Sequence, residues 1–296
     1  MYSKPYFIFM KSYFSWLFYA LVTTFTWGVW GALIEIPQNA GFPPTLGYII
    51  WSLTMIPCAL IALYLVNWKI ETDKRSVLLG LIIGLLGGGG QLALFEALKE
   101  GPAYIIFPFV SLYPLLTILL SVIFLKEKTS GLKWFGIAVA LVAIFFLSYQ
   151  EPESANESGY LWLILALLVF IAWAFQAYVM KFSNETMKSE SIFFYMTIAA
   201  LLLSPVAWLM TDFSLPVNLS FKGPYLAAIV HLLNSIGALT LVYALRYGKA
   251  IIVVPLTGLA PVITIVLSLV IYSIMPGSML LTGLVLAVIA IAILSF

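Results

Sequence analysis

Ten stretches of roughly twenty mostly apolar residues run along this chain, at 16–36, 46–66, 77–98, 103–125, 132–149, 160–181, 192–210, 225–245, 250–274 and 279–294. A hydrocarbon layer about 30 Å thick takes roughly 20 apolar residues per helix, so each stretch reads as a transmembrane helix. None shows the period-two alternation that a membrane barrel strand requires. The separators are short and polar (Gln38-Asn39, 99–102, 126–131, 151–159), which leaves no room for a soluble domain. Only Lys99, Glu100, Gly101 and Pro102 part the third stretch from the fourth, and Pro102 at the start of the latter predicts a tight break. Composition agrees: 9% of residues are charged, against about 25% in a soluble domain. A net charge of +2, with basic residues scattered singly, argues against a nucleic-acid partner. The lone Cys58 has no partner for a disulfide or a thiolate cluster, and no metal set is visible. The expected fold class is therefore an all-α integral membrane protein with no metal and no cofactor.

Lys and Arg concentrate in cytoplasmic loops. With the N-terminus inside, the inner side holds Lys4, Lys11, Lys69, Lys74, Arg75, Lys126, Lys128, Lys133, Lys181, Lys188, Arg246 and Lys249, while the outer side holds only Lys99 and Lys222. That asymmetry predicts both termini in the cytoplasm, an even number of spans and a multi-pass protein of the inner (cytoplasmic) membrane. The acidic 150–159 loop, with Glu151, Glu153 and Glu157, then falls outside. Residues 1–15 lack the apolar core and small-residue site of a cleavable signal.

Shifting the chain by 147 residues lays 90–121 on 237–268 with 15 of 32 positions identical. Gly101 meets Gly248, Pro108 meets Pro255, Pro114 meets Pro261 and Thr117 meets Thr264, and the match resumes at Gly136 with Gly283. Apolar composition alone would not register two prolines six apart. The expected organisation is thus two homologous units, 1–150 and 151–296. Each holds five spans, an odd number, so the second must thread the bilayer in the opposite sense. Ten transmembrane helices as two inverted five-helix repeats are the architecture of many secondary transporters, and two near-equivalent packings suit alternating access.

The run Ala-x3-Gly-Pro-Ala-x3-Phe-Pro-x2-Ser-Leu-Tyr-Pro-Leu-Leu-Thr from Ala97, continuing through Lys126-Glu127-Lys128 to Gly136, resembles the EamA-type halves of the drug/metabolite transporter superfamily. The likeness covers nearly the whole chain. It implies ten spans, no covalent cofactor, and a small-molecule substrate such as an amino acid, sugar or nucleobase-like compound. Where the first unit has its charged turn, the second has Ser273-Ile274-Met275.

A polar group in hydrocarbon must find a partner or a cavity, so polar residues inside spans are candidates for function. His231 and Asn234 share one face of the eighth span, and that face maps onto Gly84, Gly87 and Gln91 in the third. Gln91, His231 and Asn234, with Gln176 in the sixth span, form the expected substrate site; plain helix-to-helix hydrogen bonding is the competing reading. Trp27, Trp30 and Trp173, with Phe107 and Tyr243, would form an aromatic wall, unless they are ordinary core. Glu96 and His231 are the candidates for carrying a coupling proton, although Glu96 stands three residues from Lys99 and pairing there explains it as well. Pro108, Pro114, Pro255 and Pro261 should kink the fourth and ninth spans. The run Gly87-Gly88-Gly89-Gly90 calls for close helix packing rather than a hinge, and it is not a phosphate loop.

No nucleophile–base pair or metalloprotease motif is present, so the chain is expected not to be an enzyme. The leading expectation is a secondary transporter exporting a small metabolite such as an amino acid. A sugar or nucleobase uptake permease, and a channel or sensor on the same bundle, are the alternatives. Monomer and homodimer both stay open.

Overall fold

A computed structural model describes residues 4–101, 103–149, 160–272 and 277–295, with side chains except at 4–14, 103–105, 108 and 272. Pro102, the acidic 150–159 loop and the 273–275 turn lie outside the described residues, as does the side chain of Pro108. The described residues are mostly helical and hold no strand.

The elements are α1 (Lys4–Leu33), α2 (Glu35–Asn39), α3 (Pro44–Leu65), α4 (Lys74–Glu100), α5 (Ala103–Ser111), α6 (Tyr113–Ile123), α7 (Gly131–Leu147), α8 (Leu161–Ser183), α9 (Ser189–Leu209), a π-helical turn (Phe221–Tyr225), α10 (Leu226–Tyr247), α11 (Ala250–Thr257), α12 (Pro261–Tyr272) and α13 (Ser278–Ser295). Eight stretches are long and apolar enough to cross a bilayer, and Phe109–Ile123 and Gly131–Leu147 are shorter apolar helices. Large apolar side chains face outward along them, among them Phe18, Phe25, Ile61, Leu115, Leu119, Val285 and Val288. In water such a surface would aggregate; against lipid it costs nothing, and the chain is a multi-pass membrane protein.

The prolines do more than bend. The fourth and ninth stretches are each two helices, divided at Leu112 and at 258–260, positions 147 apart. Pro114 occupies the first turn of α6 and Pro261 is the first residue of α12. A proline there needs no backbone partner, and its φ is set for a helix start. Each break tightens into i→i−3 bonds: Leu112 and Leu115 donate to Phe109 and Leu112, and Leu259, Ala260 and Val262 donate to Leu256, Thr257 and Leu259. Pro255 sits inside α11, which stays helical around it.

The glycine run lies within the unbroken α4, and its neighbours explain it. A methyl group at Gly84 would stand 2.5 Å from Ala199 of α9, at Gly87 2.2 Å from the Gln176 amide of α8, and at Gly90 2.6 Å from the Trp173 ring of α8. Small residues bring these backbones together where no hydrophobic force separates helix from lipid.

Helix contacts across the two halves are exchanged. α1 packs on α10 as α8 packs on α4; α3 packs on α10 as α9 packs on α4; α1 packs on α12 as α8 packs on α6. α7 packs on α13 and α3 on α9, each against its own counterpart.

Candidate functional site

The exchange extends to single hydrogen bonds. Trp27 on α1 donates its indole N–H to the carbonyl of Asn234 (3.2 Å), and Trp173 on α8 donates to the carbonyl of Gly87 (3.3 Å). Asn234 and Gly87 are 147 residues apart. The Trp27 ring lies against Gly237 and the Trp173 ring against Gly90, another such pair. Thr264 donates to the carbonyl of Gly28 (2.8 Å), one residue after Trp27, and Thr117 donates to the carbonyl of Ala174 (3.1 Å), one residue after Trp173. These tryptophans therefore fasten helices, and each does so through a carbonyl that a glycine on its partner helix leaves accessible.

Next to these fasteners the two junctions diverge. Trp30 on α1, one turn after Trp27, donates to Nδ1 of His231 on α10 (3.2 Å). His231 is 6% exposed. Because Nδ1 accepts, a neutral imidazole carries its proton on Nε2, and Nε2 is buried with no partner among the described residues. It points at α3: a methyl group on Gly47 would stand 3.1 Å from it. At the other junction Gln176 takes the place of Trp30 and lays its amide on Gly87. Gln91 lies one turn beyond Gly87, half-buried, and makes no hydrogen bond among the described residues. The Asn234 side chain is also half-buried on the α10 face that carries His231.

Other candidates stand elsewhere. Phe107 and Trp173 pack on one apolar cluster around Leu94, Ile106 and Trp162. Tyr243, twelve residues and about 18 Å along α10 from His231, stacks on Tyr19 at 5.0 Å and donates to Glu190 (2.7 Å). Glu96 is ion-paired with Lys99 at 3.1 Å, both side chains partly exposed.

Two aromatic residues of α3 carry no signal that singled them out. The Tyr48 hydroxyl and Trp51 indole nitrogen are buried without partners, and the rings meet edge to face at 5.2 Å. Their span reads as a plain apolar helix. The available hint was the spacing Gly47, Trp51, Thr54, which lines one helix face.

Carboxylates join the halves at the end rich in Lys and Arg. Glu127 is buried in the turn after α6 and accepts from the backbone N–H groups of Ala250 and Ile251 (both 3.1 Å), closing the N-terminus of α11. Glu71, before α4, accepts from the Ser191 hydroxyl (2.6 Å) and the Lys188 N–H (3.2 Å), with the Lys188 ammonium at 3.7 Å. Partial burial works against its charge, but these donors outweigh it and hold the Glu71 carboxyl below its ordinary range. Arg246 donates to the carbonyls of Asn184 and Met187, and Lys181 to those of Leu245 and Gly248.

A family model described as the EamA-like transporter family matches residues 14–149 and 160–296. Protein LicB of Haemophilus influenzae is 27% identical over 257 residues, covering 83% of this chain and 84% of its own. An uncharacterized protein of Methanocaldococcus jannaschii is 32% identical over 108 residues, 36% of this chain and 79% of its own. A solved crystal structure aligns over 93% of this chain and 97% of its own with a TM-score of 0.73 at 19% identity, a likeness of fold.

Proposed function

We propose that this chain, which belongs to the EamA-like transporter family, is a secondary transporter that moves a small metabolite across the cytoplasmic membrane by alternating access, exporting it from the cell. The observation that carries the reading is the exchange of contacts: α1 holds α10 through the same indole bond by which α8 holds α4, and α12 holds α1 through the same threonine bond by which α6 holds α8. A residue that contacts the other half, and whose counterpart returns the contact, belongs to a two-fold arrangement. With five spans per unit, 1–150 and 151–296, the axis of that two-fold lies in the membrane plane and the ten helices form two inverted repeats. Two such units can pack in two ways of similar energy related by that two-fold, one closed at each face. In the structure the Lys- and Arg-rich end is fastened by Glu71, Glu127, Arg246 and Lys181, and the positive-inside bias makes that end cytoplasmic, with both termini there.

The solute site lies where the two junctions diverge, around His231, Asn234, Trp30, Gln91 and Gln176, beside the fastening ring of Trp27. Its solute is an amino acid or a sugar- or nucleobase-type compound. Of the two proton-coupling candidates, His231 has the free nitrogen and the central position, whereas Glu96 is engaged by Lys99.

The test is counterflow in proteoliposomes. A carrier loaded inside with unlabelled solute accumulates labelled solute from outside, because bound solute is exchanged between alternating states. Accumulation with one metabolite class, lost in His231→Ala, is expected. Flux that is downhill and unsaturable would mark a channel, and no flux from correctly folded protein would end the reading.

A further inference from the structure

Among the described residues five buried side-chain atoms lack a hydrogen-bond partner, and three of them belong to α3 or face it: the hydroxyl of Tyr48, Nε1 of Trp51 and Nε2 of His231. Gly47, Trp51 and Thr54 occupy one face of α3. Gly47 abuts Nε2 of His231, and Thr54 shares a hydrogen bond with Ser235, one turn further along α10 (2.9 Å). Trp51 therefore lies on the α3–α10 seam between these contacts. Tyr48 rests edge-on against Trp51 and carries its hydroxyl toward Gly88 of α4, where a methyl group would stand 2.4 Å from the oxygen. All three groups can donate, and the His231 and Trp51 N–H groups can only donate. Three buried donors with no acceptor is an unstable arrangement for a protein interior, where such groups are nearly always satisfied.

We propose that Tyr48, Trp51 and His231 form a donor set that receives an uncharged oxygen acceptor of the solute, a carbonyl or hydroxyl, while the solute's flat or apolar body lies against the rings of Trp30, Tyr48 and Trp51. This rests on the carrier reading above and narrows its solute from the amino-acid to the sugar or nucleobase type. The charge follows from what surrounds the donors. Residues 15–33 of α1, the whole of α3 and α10 as far as Leu245 hold no Lys, Arg, Asp or Glu. A carboxylate buried there would face neutral donors alone, and desolvating it costs more than those bonds return. A primary ammonium brings only donors, and among the three groups the Tyr48 hydroxyl oxygen alone could accept one.

The experiment uses full-length protein in detergent and four probes of nearly one shape: benzamide, benzyl alcohol, benzoate and benzylamine. Wild type is expected to bind benzamide or benzyl alcohol, the two arms separating carbonyl from hydroxyl, and to bind each ion at least tenfold more weakly. Tyr48→Phe and Trp51→Phe should each weaken the favoured probe about tenfold. Tyr48→Phe should also leave the ligand-free melting temperature unchanged or raise it, because the substitution removes an unsatisfied donor; a hydroxyl held by internal water would instead lower it. Binding of benzoate or benzylamine as tight as that of benzamide, no binding by any probe, or unaltered binding in both variants would overturn the proposal. Counterflow with charged solutes alone would overturn it and leave the carrier standing, whereas no counterflow with any solute would remove both.

Discussion

The α1–α10 and α8–α4 junctions share a backbone and differ in what they present. Both are held by an indole N–H on a carbonyl and a ring laid on a glycine, and in both the tryptophan-bearing helix also accepts a threonine hydroxyl bond from a third helix, α12 on α1 and α6 on α8. Beside those fasteners, one junction has Trp30 and His231 in contact, and the other has Gln176 over a glycine. What the halves retain in common is what lets helices approach closely. What they do not share is polar, partly unsatisfied and placed at the seam, where a solute would have to be gripped.

The most forceful way to break this comparison is to overpack the shared part. Gly90→Val and Gly237→Val push a branched side chain into Trp173 and Trp27, whose rings cannot move without losing their bonds. Each should cost about 1–3 kcal/mol, read as a fall in melting temperature in detergent. Equal falls support equivalence, and a fall at one site alone would contradict it. Substitutions in the divergent part sharpen the contrast. His231→Ala should lower proteoliposome exchange at least tenfold, about 1.4 kcal/mol, and Gln176→Ala only about two- to threefold, with both proteins eluting as folded monodisperse species. If the two losses were equal, the assignment of the site to the His231 junction would fail.

Smaller effects reach the remaining bonds. Thr264→Val and Thr117→Val each remove one interhelical hydrogen bond, worth about 0.6 kcal/mol in a membrane interior; denaturant titration should find the two alike. The smallest effect concerns acid. Glu71 is held below its ordinary value of 4.5, so its stabilisation is complete above that pH and is lost as pH falls below it. Wild type should lose melting temperature between pH 5 and 3 faster than Glu71→Gln, and the two curves should run parallel from pH 5 to 8. Divergence in that upper range would assign the stabilisation to another group.

Much of this was legible along the chain. Pro114 and Pro261 announced an interruption, although as kinks rather than the helix starts they prove to be, because a proline marks a missing donor and cannot say whether the helix resumes bent or begins anew. Gly87 to Gly90 announced close approach without naming Trp173, Gln176 or Tyr48 as the neighbours. Glu96 and Lys99 were readable as a pair, being three apart on one helix. Tyr48 and Trp51 were not readable, since an aromatic residue in an apolar span looks the same whether its polar atom is satisfied or stranded. Glu127 was visible as the acid of a charged turn, but its partners lie more than 120 residues away.

That the chain is a multi-pass helical membrane protein follows from sequence alone because lipid is a uniform solvent: every helix must satisfy its own backbone and show apolar side chains, so the requirement is local and is written locally. Which donors are left without acceptors is a property of pairs of helices. Only the packing of α1 and α3 against α10 decided that the proton on Nε2 of His231 finds no acceptor among the described residues.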